Sequence, residues 1–179
     1  MDHDGVKHKT CGNASAAGTS AAPEAEMSAD ECSWKILWYD HTSDTYLYGS
    51  EIRFLAPDDV SFKNQLMPPG TVIKTWYSRT NYQAQRIEPV LPLIDGEGHY
   101  HISMDADCDV PEGLLLRLSF LGKDGTQAGS FVLKGKESDF SCPLKTYSYE
   151  AQLICAGAHT FHFHSFTISE ILYEKYKSF

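Results

Sequence analysis

The segment LLLRLSFLGKDGTQAGSFVLKG, residues 114–135, decides the fold. Leu114, Leu116, Leu118 and Phe120 recur every second residue, so in an extended chain they share one face while Arg117 and Ser119 share the other. Lys123-Asp124-Gly125 supplies turn residues, and QAGSFVLKG carries the chain back. The whole reads as a β-hairpin.

The same period extends in both directions. In HYHISMDA (99–106), Tyr100, Ile102 and Met104 oppose His99, His101 and Ser103. In TYSYEAQL (146–153), Tyr147, Tyr149, Ala151 and Leu153 are expected to point inward. FHFHSFTI (161–168) breaks the pattern, because Phe161 and Phe163 are out of phase with Phe166 and Ile168. One extra residue, a bulge near His164–Ser165, would put all four inward. Upstream, WKILWYD, YLYGSEIRFL, VSF and TVIKTWYSR are further short runs, and Pro68-Pro69-Gly70 is expected to turn the chain into the last of them, with Trp76 near its end. No apolar pattern at helical spacing is sustained in the core region. Eight or more short strands with regular turns define an all-β chain, an antiparallel β-sandwich or jelly roll.

The expected organisation is a disordered low-complexity tail at 1–32, the sandwich at 33–170 and a C-terminal tail or short helix at 171–179. The first part, with GNASAAGTSAAPEAEMSADE, has almost no large apolar residue to offset the entropy of ordering. Met27, just before the first aromatic run, is a candidate natural start.

The chain of 179 residues carries a net charge of −9, which argues against a nucleic-acid partner that needs a basic stripe. Five cysteines lack any CxxC pair and fit a reducing compartment. No apolar run approaches the ~20 residues of a membrane span, and the start lacks the continuous apolar core of a secretory signal. These features point to the cytoplasm.

Chemistry-bearing motifs are sparse. GxSxG, GxGxxG and P-loop patterns are missing, so no enzyme is indicated. His99-x-His101 and His162-x-His164 could each chelate a metal from one strand face, as in a cupin-type enzyme. The alternation places them instead on the solvent face opposite the core, and no metal or other cofactor is assigned. Asp105, Asp107, Asp109 and Glu112 lack the glycine and glutamate positions of an EF-hand loop and read as a solvated turn.

The least usual segment is MPPGTVIKTWYSRTNYQAQRIEPVLP, residues 67–92. Trp76, Tyr77, Asn81, Tyr82, Gln83 and Arg86 combine flat rings with amides and a guanidinium. That set suits stacking on a sugar ring, a protein-interface hot spot or a structural role with Trp76 and Tyr82 as core aromatics and Asn81 capping a turn, and composition leaves all three open. Asn81 and Arg86 are expected to bond backbone groups in a partly buried connection.

Taken in order, YLYGSEIRF, LMPPGTVIKTWYS, TNYQAQRIEPVLPLIDG, YSYEAQLICAG and HFHSFTIS resemble the third, smallest component of the accessory Sec system Asp family, over about Ile36 to Glu170. The family's hallmark block falls on Pro68, Pro69, Gly70, Trp76, Ser78, Asn81, Tyr82 and Arg86. The resemblance implies a non-catalytic β-sandwich similar to a carbohydrate-binding module. It would act in the cytosol, at the inner membrane face through partners. It also implies assembly with the first and second Asp components, the former glycosyltransferase-like and the latter resembling an acyl-hydrolase-type enzyme that acetylates adhesin sugars. The accessory Sec motor ATPase would be a further partner, and the exported substrate a glycosylated serine-rich repeat adhesin. A stand-alone lectin-like module is the other binding function that the residues allow.

Overall fold

The computed structural model describes residues 32–39, 44–79 and 89–171. They form ten strands: β1 Ser33–Ile36, β2 Glu51–Ala56, β3 Asp59–Lys63, β4 Val72–Tyr77, β5 His99–Cys108, β6 Leu114–Leu121, β7 Gln127–Leu133, β8 Glu137–Ser141, β9 Ser148–Cys155 and β10 Thr160–Glu170. All pairings are antiparallel. One sheet, here the first, has the order β2-β3-β10-β5-β8, with β1 also beside β10; the second has the order β4-β9-β6-β7. The expected antiparallel sandwich is therefore the observed architecture. The expected tail falls outside the described residues except for Cys32, as does the expected C-terminal tail or helix beyond Ile171.

The hairpin expected over residues 114–135 is β6–β7, with Leu116 opposite Leu133 and Leu118 opposite Phe131. Leu114, Leu116, Leu118 and Phe120 are all buried. On the other side of β6, Phe120 meets Tyr149, Leu118 meets Ala151 and Leu116 meets Leu153. These pairs, all buried, fill the inner face of the second sheet.

The longest strand, β10, organises the first sheet. Its first half pairs with β3 and its second half with β1, while β5 runs along its other side. Its register against β5 shifts between Phe163 and Ser165, so His164 is the extra residue. The slip brings Phe161, Phe163, Phe166 and Ile168 onto one buried face, as the sequence phase requires. Opposite them stands Trp76 of β4, its ring 5.5 Å from Phe163 and 5.1 Å from Phe166. Trp38 closes the cluster against Trp76, Phe62, Phe161 and Phe163.

Pro68-Pro69-Gly70 makes the expected turn into β4. Thr71 N–H donates to the Pro68 carbonyl, and Gly70 has φ 89°, the glycine position of a type II turn after proline.

One expectation from periodicity is overturned. Tyr147 was assigned inward but is 45% exposed. The strand begins only at Ser148, and Tyr147 lies just after the Pro143–Thr146 turn, where Arg79 stacks with its guanidinium carbon 3.6 Å from the ring centroid. Lys74, in the middle of β4, is fully buried. A bulge between Val72 and Lys74 and the segment Asp44–Tyr46 alongside β4 explain it. Lys74 Nζ lies 2.7 Å from the Asp44 carboxylate and 3.2 Å from the Tyr39 carbonyl, with side-chain exposures of 0% and 3% for the lysine and the aspartate.

Removing one member of a buried pair leaves the other charge uncompensated, which costs about 3–5 kcal/mol. Asp44→Ala is expected to lose that much stability in urea unfolding, and Lys74→Met in the same chain to restore most of it. A loss below about 1 kcal/mol, the scale of an exposed pair, would remove the structural role assigned to this contact.

Candidate functional site

The sequence singled out Trp76, Tyr77, Asn81, Tyr82, Gln83 and Arg86. The structure separates the first two. Successive residues of a strand point to opposite faces, so β4 sends Trp76 inward and Tyr77 outward. Trp76 is 1% exposed, with its indole N–H donating to the Leu37 carbonyl at 2.8 Å. Its ring faces are spent on Trp38, Phe163 and Phe166. Trp76 is a core residue in this arrangement, with no face left for a ligand.

Asn81, Tyr82, Gln83 and Arg86 lie outside the described residues. The ends of their segment are placed: the chain leaves β4 through Ser78 and Arg79, and on its return Val90 and Leu91 N–H both donate to the Tyr77 carbonyl, at 3.0 and 3.2 Å. The Ser78 hydroxyl accepts the Tyr149 N–H at 2.8 Å, and the Tyr149 hydroxyl donates to the Pro92 carbonyl at 2.7 Å. Both flanks of the segment are therefore tied to β9 and to the end of β4.

Beside Tyr77, the outer face of the second sheet carries a polar strip that the sequence reading passed over. Tyr77 pairs with Glu150, which pairs with Ser119; Thr75 pairs with Gln152, which pairs with Arg117. Arg117 Nε and Nη2 both donate to Gln152 Oε1. Burial pushes the Glu150 carboxyl above its usual range, and the Arg117 charge pulls it partly back. The signal was available: Glu150 and Gln152 alternate with the inward Tyr149, Ala151 and Leu153, and Arg117 alternates with the inward leucines. The strip offers a phenol, a guanidinium, a carboxyl and an amide on one rigid face, a set able to bind polar groups such as hydroxyls.

The outer face of the first sheet carries the histidines, opposite the core as alternation placed them. His101 Nδ1 lies 2.6 Å from Asp139 of β8, and His162 Nδ1 lies 2.9 Å from Asp59 of β3. His164, on the β10 bulge, has Nδ1 2.9 Å from the Asp58 carbonyl and Nε2 3.2 Å from the Asp107 carboxylate. Both of its ring nitrogens face acceptors, which only the doubly protonated imidazolium satisfies. Burial draws the His164 pKa down, but the Asp58 carbonyl, the Asp107 carboxylate and the nearby Asp105 and Asp59 charges outweigh it and leave the value raised. Each of these histidines bridges neighbouring strands. Among the described residues, no three His, Cys, Asp or Glu side chains are grouped to hold a metal ion. The acids of the 105–112 turn also diverge: Asp107 meets His164, and Asp109 accepts the His159 and Thr160 N–H groups.

Fold and faces together define an antiparallel β-sandwich whose outer surfaces are built from hydrogen-bonded polar side chains. The family model for the accessory Sec secretory system ASP3 matches residues 45–170, and the chain belongs to that family. An accessory Sec system protein of the same name from Streptococcus gordonii is 38% identical over 130 residues, spanning 73% of this chain and 82% of the relative. Two solved structures share the fold at 34% identity. One is the Glycosylation Associate Protein (Gap123) complex from Streptococcus agalactiae, with a TM-score of 0.73 over 78% of this chain and 45% of that one. The other is the crystal structure of accessory secretory protein 1,2 and 3 in Streptococcus pneumoniae, with a TM-score of 0.72 over 77% of this chain and 96% of that one.

Two measurements check the placements. Trp76→Ala is expected to cost about 3–5 kcal/mol in denaturant unfolding, the range for large buried aromatics; a change below about 1 kcal/mol would take the ring out of the core. For His164 the sign follows from linkage. Its folded pKa is raised, so its contribution is complete below the ordinary value of about 6.5 and fades as pH rises through the folded value. The stability gap between the native protein and His164→Gln is expected to be widest below the ordinary histidine value of about 6.5 and to narrow as pH rises above it. A gap independent of pH would contradict the imidazolium assignment.

Proposed function

We propose that this chain is a non-catalytic component of the accessory Sec export system, acting in the cytoplasm. In this reading it assembles with the first and second Asp components and supports modification and secretion of a glycosylated serine-rich repeat adhesin. The observation that carries the reading is family membership over residues 45–170, together with the likeness at 34% identity to chains of the Gap123 complex and of the structure of accessory secretory protein 1,2 and 3. A sandwich with a packed core and polar, hydrogen-bonded faces suits a scaffold that presents surface to partners. Contact with the motor ATPase and a position at the inner membrane face would come through those partners; among the described residues no helix is long and apolar enough to cross a membrane.

A second reading, a stand-alone lectin-like module, is favoured by one observation. The Tyr77, Glu150, Arg117 and Gln152 strip puts an aromatic ring beside planar hydrogen-bonding groups, as a saccharide site needs.

The test mixes the purified full chain with the first and second Asp components of the same organism and follows the mass of the product by size-exclusion with light scattering. A ternary complex is expected from the pure proteins. Failure to associate, with binding of N-acetylglucosamine glycopeptides by the chain alone, would favour the second reading.

A further inference from the structure

The first sheet ends at β2 with its apolar layer unfinished. Two rows of core-facing side chains cross the sheet in register: Phe161–Phe62–Ile52 and Phe163–Val60–Phe54. Both rows start fully buried in β10 and β3. They end on β2 with Ile52 only half-buried and Phe54 51% exposed. Among the described residues no strand lies beyond β2. The other sheet margins differ. β1, which pairs only with β10, is four residues long and carries Lys35. Asp44–Tyr46 runs beside β4, β7 and β8 approach each other, and β8 carries Glu137 and Asp139.

Proteins blunt a free edge with charged side chains (lysine above all), proline, bulges or a very short strand. β2 has six residues, EIRFLA, without lysine or proline. Its two charges, Glu51 and Arg53, pair with each other on the outer face. The register shift between Phe54 and Ala56 puts Leu55 on a bulge, 58% exposed. Below the edge, Leu47, Tyr48 and Leu66 also stand exposed. Buried Asn64 holds their turns: its amide nitrogen donates to the Tyr48 carbonyl at 2.8 Å and the Ser50 hydroxyl at 2.9 Å, and its amide oxygen accepts the Leu66 N–H at 2.9 Å. These apolar tips are thus rigidly presented, which limits the entropy lost on docking.

We propose that the β2 edge is a docking surface for an extended, amphipathic segment of a partner protein, which adds as a further strand to the first sheet. A backbone edge selects an extended chain, because its free N–H and C=O groups pair in a ladder. The occupant's alternate side chains must differ. Those on the core side continue the Ile52 and Phe54 rows and are apolar, and those on the outer side meet Glu51 and Arg53 and are polar or charged. The proposal rests on the assembly reading above and assigns the partner segment to one of the companion subunits.

The experiment uses the full chain with the first and second Asp components. Hydrogen–deuterium exchange is measured on the free chain and on the complex, and affinities are compared for the native protein, Phe54→Glu and Leu55→Glu, with Leu93→Glu as an exposed control elsewhere. Circular dichroism melts establish that each variant is folded. The expected result is slower exchange across residues 51–56 on assembly, a tenfold or greater loss of affinity for Phe54→Glu, and little change for Leu93→Glu. Unchanged β2 exchange in a complex that forms normally would overturn the proposal while leaving the assembly reading intact. If the native proteins do not associate at all, the assembly reading itself falls. Dimerisation of the chain alone that Phe54→Glu abolishes would replace the partner segment with a second copy.

Discussion

An eleven-residue strand that serves one core must keep its apolar side chains on one face, and β10 does so only by slipping phase once, at His164. Without that slip, either Phe161 and Phe163 or Phe166 and Ile168 would face solvent, and a one-residue error in phase reverses every side chain beyond it. The bulge therefore sets the first sheet: β3 packs against the half before it, β1 against the half after it, and the aromatic cluster around Trp38 and Trp76 draws on both halves. The residue released by the bulge also acquires a role of its own. His164 reaches Asp58 on one side and Asp107 on the other, which links β10 to the start of β3 and to β5.

The polar groups that the fold buries are placed where two chain segments must be held together. Lys74 ties β4 to the Tyr39 and Asp44 segment, and the Ser78 hydroxyl ties the end of β4 to β9. Asn64 ties the loop before β2 to the loop after β3. Each buried polar atom needs a partner, so such residues specify which loops meet more sharply than apolar contacts can. The same logic connects packing to function. Trp76 is spent on the core, which leaves Tyr77 and the Arg117–Gln152 and Glu150 strip as the polar surface of the second sheet. The first sheet presents bridged histidines on its outer face and an unfinished apolar layer at its β2 margin.

Much of this was legible in the residues themselves. Alternation in 99–106, 114–120 and 149–153 assigned the core-facing side chains correctly, with Met104 only half-buried, and the broken phase of 161–168 announced the bulge. Pro68-Pro69-Gly70 announced its turn. The miss at Tyr147 has a local and a distant cause: the residue keeps the inward phase but sits where β9 has not begun, and Arg79 covers its ring. The sequence reading made no assignment for Lys74, whose burial depends on Asp44, thirty positions away, as counter-charge. Of the six residues singled out, Trp76 and Tyr77 are neighbours of equal aromatic character, and composition had no means to separate them.

The sequence by itself determined the fold class and its phase, because period-two patterning is a local property of an extended chain and burial follows it strand by strand. It also determined the family, through motifs spread along residues 45–170. Only the tertiary structure decided which aromatic of 76 and 77 serves the core, which charges are buried and which sheet margin lies open. Those outcomes depend on what stands opposite or beside a residue. A strand does not encode its neighbour, and the order β2-β3-β10-β5-β8 brings together segments more than a hundred residues apart.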